Sequence, residues 1–172
     1  MSKIVWRFGV IAGAILMAVM TGITIPFLEA IGDWGEVVGY SSMVLAFLMV
    51  YVGIRTYRDT LLAGAIGFGR AFKAGILIAL IASSCYVATW EVIYYTMMPD
   101  FMEKYSERVI EKARAGGATE AQLETQKAAM AKMGEAYKNP LVNVGMTFLE
   151  VFPVGLVMTL VSAGILTRKR SV

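Results

Sequence analysis

Two carboxylates sit where water is scarce. Glu91 lies inside the apolar run from Gly75 to Met98, and Glu150 inside the run from Leu141 to Thr167. Each run exceeds the roughly 20 residues an α-helix needs to cross the hydrocarbon core of a bilayer. An ionisable residue on such a helix is costly and points by default to a function. Two carboxylates held close together cannot both ionise cheaply, so a pair of this kind can carry a proton or a cation. Tyr94 and Tyr95 follow Glu91 within about one turn. Asn143 and Thr147 precede Glu150 at helical spacing, which puts all three on one face. These six residues form a candidate intramembrane polar site, with hydroxyl and amide groups as its neutral ligands.

Depth supports the pairing. Lys73 stands eighteen residues before Glu91, and Arg168 eighteen residues after Glu150. At a rise of 1.5 Å per residue, each glutamate lies about 27 Å from a basic anchor. The plainer reading is that each carboxylate is solvated near the headgroups, or hydrogen-bonded structurally to Trp90 or a tyrosine.

Other chemistry finds little support in the residue types. The 172-residue chain contains no histidine, which removes the commonest metal ligand and the commonest general base together. Its single cysteine, Cys85, lies in apolar sequence, where a thiol is inert packing, and it permits no internal disulfide. The fragment Gly67-Phe68-Gly69 does not read as a nucleotide loop, because Phe72 stands where a third glycine belongs and no strand precedes it. We therefore expect no enzyme, no cofactor, no metal site and no nucleic-acid partner.

Apolar residues make up 58% of the chain and are concentrated in four runs. They predict spans over 5–28, 37–54, 74–98 and 141–167, in an all-α fold. The first run follows Lys3 and Arg7 as a secretory leader would, but it outlasts the core of about 7–15 residues of a signal peptide and reads as a retained helix. Within it Gly9 and Gly13 form a G-x-x-x-G pair suited to close helix approach, with dimerisation as one use. Pro26 is expected to kink or end this helix, ahead of an acidic connection with Glu29, Asp33, Trp34 and Glu36. The second run is expected to stop at the basic boundary Arg55-Thr-Tyr-Arg58-Asp59, with Arg58 and Asp59 as a salt bridge and N-cap. Gly64, Gly67 and Gly69 are expected to form a turn leading to Arg70 and Lys73.

Between the third and fourth runs lies a hydrophilic stretch, 100–138, which reads as an extramembrane helical hairpin broken at Gly116-Gly117. Met102, Tyr105 and Val109 share one face of its first helix. Thr119 and Gln122 make a capping box for the second, on which Leu123, Met130, Met133 and Tyr137 recur at helical spacing. The fourth span carries Pro153 in its interior, with a local distortion expected just past Glu150.

Lysine and arginine placement sets the orientation. Lys3, Arg7, Arg55, Arg58, Arg70, Lys73, Arg168, Lys169 and Arg170 collect on one side against Lys104, Arg108, Lys112, Arg114, Lys127, Lys132 and Lys138 of the long segment, and the short loops and helix ends favour both termini in the cytoplasm. Arg55, Arg58, Arg70 and Lys73 are also candidate contacts for anionic lipid headgroups.

The string Gly53-Ile-Arg55-Thr-Tyr57-Arg58-Asp59, then Gly67-Phe68 and Ala71-Phe72-Lys73-Ala-Gly75, resembles the bacterial domain of unknown function 4199 family. Asn139-Pro140, the run Leu149-Glu150-Val-Phe152-Pro153-Val-Gly155 and the basic tail extend the likeness over essentially the whole chain. The resemblance implies a four-helix integral membrane protein and brings no substrate, reaction or partner. Two function classes follow. One is a non-enzymatic interaction or assembly role in the bacterial cytoplasmic membrane, with a membrane protein or a second copy as partner. The other is a small proton- or cation-linked transporter using Glu91 and Glu150.

Overall fold

The computed structural model describes residues 1–25 and 34–167. Among these residues the structure is helical and contains no strand. Helix α1 spans Ser2–Val19 and continues as a wider π-helical turn over Met20–Thr24, where the Ile25 N–H reaches the Met20 carbonyl at 3.0 Å. Then come α2 (Gly35–Leu61), α3 (Phe68–Thr96), α4 (Phe101–Ala115), α5 (Glu120–Tyr137) and α6 (Pro140–Leu166). Four of these, α1, α2, α3 and α6, are long and apolar enough to cross a membrane. The expectations placed on Pro26, Leu28, Glu29 and Asp33 lie outside the described residues, as do those on Arg168, Lys169 and Arg170.

Helix limits differ from the sequence reading at the charged boundary after the second apolar run. α2 does not end at Ile54 but runs to Leu61 and takes Arg55, Arg58 and Asp59 into its last turns. A carboxylate there can bind a basic residue one turn away, so the charges support the helix they were expected to end. Asp59 consequently caps no helix N-terminus. It accepts a 2.7 Å hydrogen bond from Arg58 Nε and lies 3.6 Å from Arg55 Nε. The turn after α2 is made by Ala63 and Gly64, both at positive φ, whereas Gly69 already belongs to α3. Arg70 and Lys73 therefore sit in the first turns of that helix. Pro153 stands inside a helix that carries on through it to Leu166.

The chain divides into two compact units. One comprises Met1–Ala88 and the chain from Phe148 onward, and the other Thr89–Thr147, so the boundary falls within α3 and again within α6. In the first unit the buried positions recur at three and four residues. On α1 they are Val5, Gly9, Ala12, Gly13 and Leu16, and on α2 Met43, Ala46, Phe47, Val50, Gly53 and Ile54. Ala71, Ala74, Ile78, Ala79 and Ala82 of α3 join the same core with Val151, Ala163 and Leu166 of α6. The opposite faces are just as apolar yet uncovered, as at Leu45 (64% exposed) and Ile165 (54%). Helices hydrophobic on their outer faces belong in lipid rather than water.

Small residues let these helices approach. A Cβ placed on Gly13 would stand 2.7 Å from Cys85 Cβ, and one on Gly9 2.8 Å from Ile81 Cβ. The G-x-x-x-G pair of α1 is thus filled by α3 of the same chain. A Cβ on Gly155 of α6 would similarly stand 2.9 Å from the edge of the Phe47 ring.

In the second unit α4 and α5 pack on each other. Gly117 (φ +84°) ends α4 in the left-handed region, where glycine has no Cβ to clash. The Ala118 N–H bonds the Ala113 carbonyl and the Gly117 N–H the Arg114 carbonyl, which satisfies the exposed end of the helix. α5 opens with the expected capping box: the Gln122 N–H reaches Thr119 Oγ1 at 3.4 Å, and the Thr119 N–H reaches Gln122 Oε1 at 2.8 Å. α6 opens on Asn139, whose Oδ1 accepts from the Leu141 N–H at 3.0 Å, with Pro140 at the first helical position, where its missing N–H costs nothing.

Candidate functional site

The second unit contains a polar cluster drawn from three helices. The indole Nε1–H of Trp90 on α3 is shared between Tyr137 Oη, at the end of α5, and Asn143 Oδ1 on α6, each at 3.2 Å. One turn further along α6, Thr147 Oγ1 donates to Asn143 Oδ1 at 3.3 Å and lies 3.4 Å from Tyr137 Oη. With the Thr147 hydrogen given to Asn143, the tyrosine hydroxyl donates to Thr147 and accepts from Trp90. Every hydroxyl then gives one hydrogen and receives one. Asn143 is fully buried, Thr147 nearly so, and Tyr137 is 9% exposed. A hydrogen bond of this kind contributes about 1 kcal/mol net, and leaving a buried partner unsatisfied costs about 1–3 kcal/mol.

Aromatic rings surround the cluster. Trp90 meets the edge of Phe101, the first residue of α4, with centroids 4.8 Å apart. Tyr94 packs edge-on against both Tyr137 (5.4 Å) and Tyr95 (5.1 Å), and Phe101 stacks on Tyr105 at 6.0 Å. Such pairs add about 0.5–1.5 kcal/mol beyond the area they bury. Aromatic and polar contacts thus hold both ends of the segment 101–137: Phe101 at its start and Tyr137 at its finish meet the same tryptophan.

Of the six residues read as a polar site, the structure brings Tyr94, Asn143 and Thr147 into or against this cluster. Tyr95 touches Tyr94 but is half exposed. Glu91 is half-buried, and its Oε1 is shielded from solvent without a hydrogen-bond partner, as is Asn143 Nδ2. Glu150 belongs to the other unit and is exposed, although it shares a helix face with Asn143 and Thr147 by spacing. Spacing fixes the direction of a side chain; burial depends on what covers that turn.

Trp90 and Tyr137 are the members that lie outside the six candidate residues, the first read as a structural partner for a glutamate and the second as one of the apolar positions recurring along the second hairpin helix. A tryptophan near a span end and a tyrosine closing an amphipathic helix are individually ordinary. Their meeting across 47 residues has no local signal.

At the other end of the apolar helices, Arg55 and Arg58 are tied to Asp59, while Arg70 and Lys73 are exposed. Two cations in the first turns of α3 oppose the helix dipole, so their placement is not explained by helix stability. Cys85 is half-buried and packs at Gly13.

Outside the four helices long and apolar enough to cross a membrane, the charges are local. The Lys104 ammonium, 2.7 Å from Asp100, holds that carboxyl below the usual aspartate range, and Glu135 raises the Lys138 ammonium through a 2.6 Å hydrogen bond.

The model of the family described as Protein of unknown function (DUF4199) matches residues 7–168, so the chain belongs to that family. Neither a curated protein nor a solved structure matches it.

Proposed function

We propose that this member of the family is a non-enzymatic integral membrane protein acting through interaction or assembly. In this reading α1, α2, α3 and α6 form a four-helix transmembrane bundle in the bacterial cytoplasmic membrane, and 100–138 is an extramembrane hairpin that presents a surface to a partner protein or a second copy. Both termini face the cytoplasm, in keeping with Lys3, Arg7, Arg55, Arg58, Arg70 and Lys73. The observation that carries the proposal is the shared N–H of Trp90. It fastens Tyr137 to Asn143 and Thr147, so the segment between α3 and α6 is a built element rather than a tether. The charged surfaces of α4 and α5 are what it offers.

Two experiments test this. Cysteine at Ala118 in a Cys85→Ala background should react with an impermeant thiol reagent in intact spheroplasts; labelling only after lysis overturns the orientation. A photocrosslinker at Glu107 or Glu124 should give one discrete adduct in intact cells, where the same group at lipid-facing Leu160 gives none. Equal, diffuse adducts at all three positions would remove the partner surface.

A second reading is favoured by the shielded, unpartnered Oε1 of Glu91: a small proton- or cation-linked transporter in which that carboxylate binds the ion. Vesicles holding the purified protein and a pH-sensitive dye separate the two. Ion or proton flux above that of empty vesicles, lost in Glu91→Gln, would replace the interaction role; flux equal to that of empty vesicles supports it.

A further inference from the structure

Helix α4 carries its charges in rows. Lys104, Arg108 and Lys112 follow one another at spacings of four, and Glu103, Glu107 and Glu111 do the same one residue earlier. Side chains four apart stack on one face, so each set is a row of a single sign. Like charges at this spacing repel, whereas opposite charges three or four apart attract, as Lys104 does with Asp100 at 2.7 Å. With 3.6 residues per turn, the acidic row lies opposite the face of Phe101, Tyr105 and Val109, and the basic row borders that face. None of α4 is fully buried: Phe101 and Val109 are half-covered, and Tyr105 is 37% exposed.

The level of this helix is fixed within its own unit. Phe101 touches Trp90, which stands six residues before the end of α3, about 9 Å along the axis. The chain therefore doubles back, and α4 starts beside the last turns of α3 rather than beyond them. Those turns and the start of α6 leave large apolar side chains uncovered: Val92 (62% exposed), Met97 (67%) and Leu141 (82%). Lipid must reach this level to cover them, and α4 begins at the same level.

We propose that α4 lies in the headgroup layer of the leaflet on its side of the membrane. Phe101, Tyr105 and Val109 rest on the acyl boundary, and Arg108 and Lys112 meet the phosphates of anionic phospholipids, while Lys104 stays with Asp100. Glu103, Glu107 and Glu111 face water. An apolar face bordered by basic residues is the arrangement of helices that lie in the membrane interface. The long stems of lysine and arginine let their charges reach the phosphates from beside that face. This rests on the membrane reading above and adds the occupant of one helix face.

The test uses the full chain in vesicles containing phosphatidylglycerol, in a Cys85→Ala background. Nitroxide labels are placed singly through Val92→Cys, Tyr105→Cys and Glu107→Cys. The label at 92 reports whether α3 is embedded at all. Relaxation by oxygen over an aqueous nickel chelate should dominate at 92 and 105, and the reverse at 107. If 92 is lipid-exposed while 105 is as open to nickel as 107, α4 lies in water and the proposal falls, while the membrane reading stands. If 92 is itself in water, both fall. Native mass spectrometry of the detergent-solubilised chain tests the basic row. Phosphatidylglycerol should be retained over phosphatidylcholine, and the double change Arg108→Gln with Lys112→Gln should lower that retention about tenfold or more. Equal retention of both lipids, or no change in the double variant, overturns the anionic-lipid assignment.

Discussion

The units 1–88 with 148 onward, and 89–147, are held together by different physics. In the first, helices close on one another through small residues: Gly13 against Cys85, Gly155 against Phe47, and a core that includes Ala46, Ala74, Ala79, Ala82 and Ala163. In the second, α5 is held by a tryptophan N–H, a phenol, an amide and a hydroxyl within a shell of rings. On the membrane reading, the difference follows from solvent. Between apolar helices in lipid there is no hydrophobic gain to be had, so close van der Waals approach must supply the attraction. Where an apolar span ends and water begins, amphipathic rings and directed hydrogen bonds are interactions that survive on both sides of such a boundary.

That contrast can be broken from either side. The largest effect is expected from adding volume to the small-residue seam. Gly155→Val forces two methyl groups toward the Phe47 ring and Ala79 Cβ, which already stand 2.9 and 3.0 Å from a bare Cβ position. It should cost about 3 kcal/mol, read as a lowered unfolding midpoint in detergent. Gly145→Ala, where a Cβ meets nothing within 4 Å, should instead stabilise by about 0.5–1 kcal/mol as an ordinary helix substitution. Similar losses in both would show that the seam is not tightly closed.

Next in size is Trp90→Phe, which keeps a ring against Phe101 but withdraws the donor that Tyr137 and Asn143 share. About 2 kcal/mol should be lost. Hydrogen exchange should quicken in α5 and leave α1 and α2 unchanged; quickening spread evenly over the chain would deny that the two regions are held separately.

Thr119→Ala removes one arm of the capping box and should cost about 1 kcal/mol, with faster exchange confined to the first turn of α5. Unchanged exchange there would mean the cap contributes nothing.

The smallest effect is one of pH. Lys104 holds the Asp100 carboxyl below its unfolded value. The contribution is therefore present above the ordinary aspartate pKa of about 3.9 and fades as pH falls through the lower folded value. Amides of the first turn of α4 should exchange faster below that range once intrinsic rates are removed, and Asp100→Asn should abolish the change.

The sequence carries the four long apolar helices and the local devices of this structure well, since these depend on nearby residues. The four apolar runs, the break at Gly116-Gly117 and the Thr119–Gln122 box are local patterns with local causes. Helix ends were harder to read. Arg55 to Asp59 marks a boundary of polarity, and the helix continues past it because Asp59 neutralises two arginines from within the same turn. The candidate site was legible in part. Asn143 and Thr147 follow from spacing, and Glu91 from its cost in an apolar run. Tyr137 was hidden because only tertiary structure brings it to Trp90, and Glu150 carried the face of Asn143 without its burial.

The central claim, that the segment between α3 and α6 is fastened through the Trp90 N–H, is tested most directly by a double-mutant cycle of Trp90→Phe and Tyr137→Phe. Unfolding would be followed by a probe on α5. If the two groups are bonded, each single change should destabilise α5 and the double variant should lose about 1 kcal/mol less than their sum. Strict additivity would mean that the indole and the phenol do not interact, and that the segment is held by something other than this cluster.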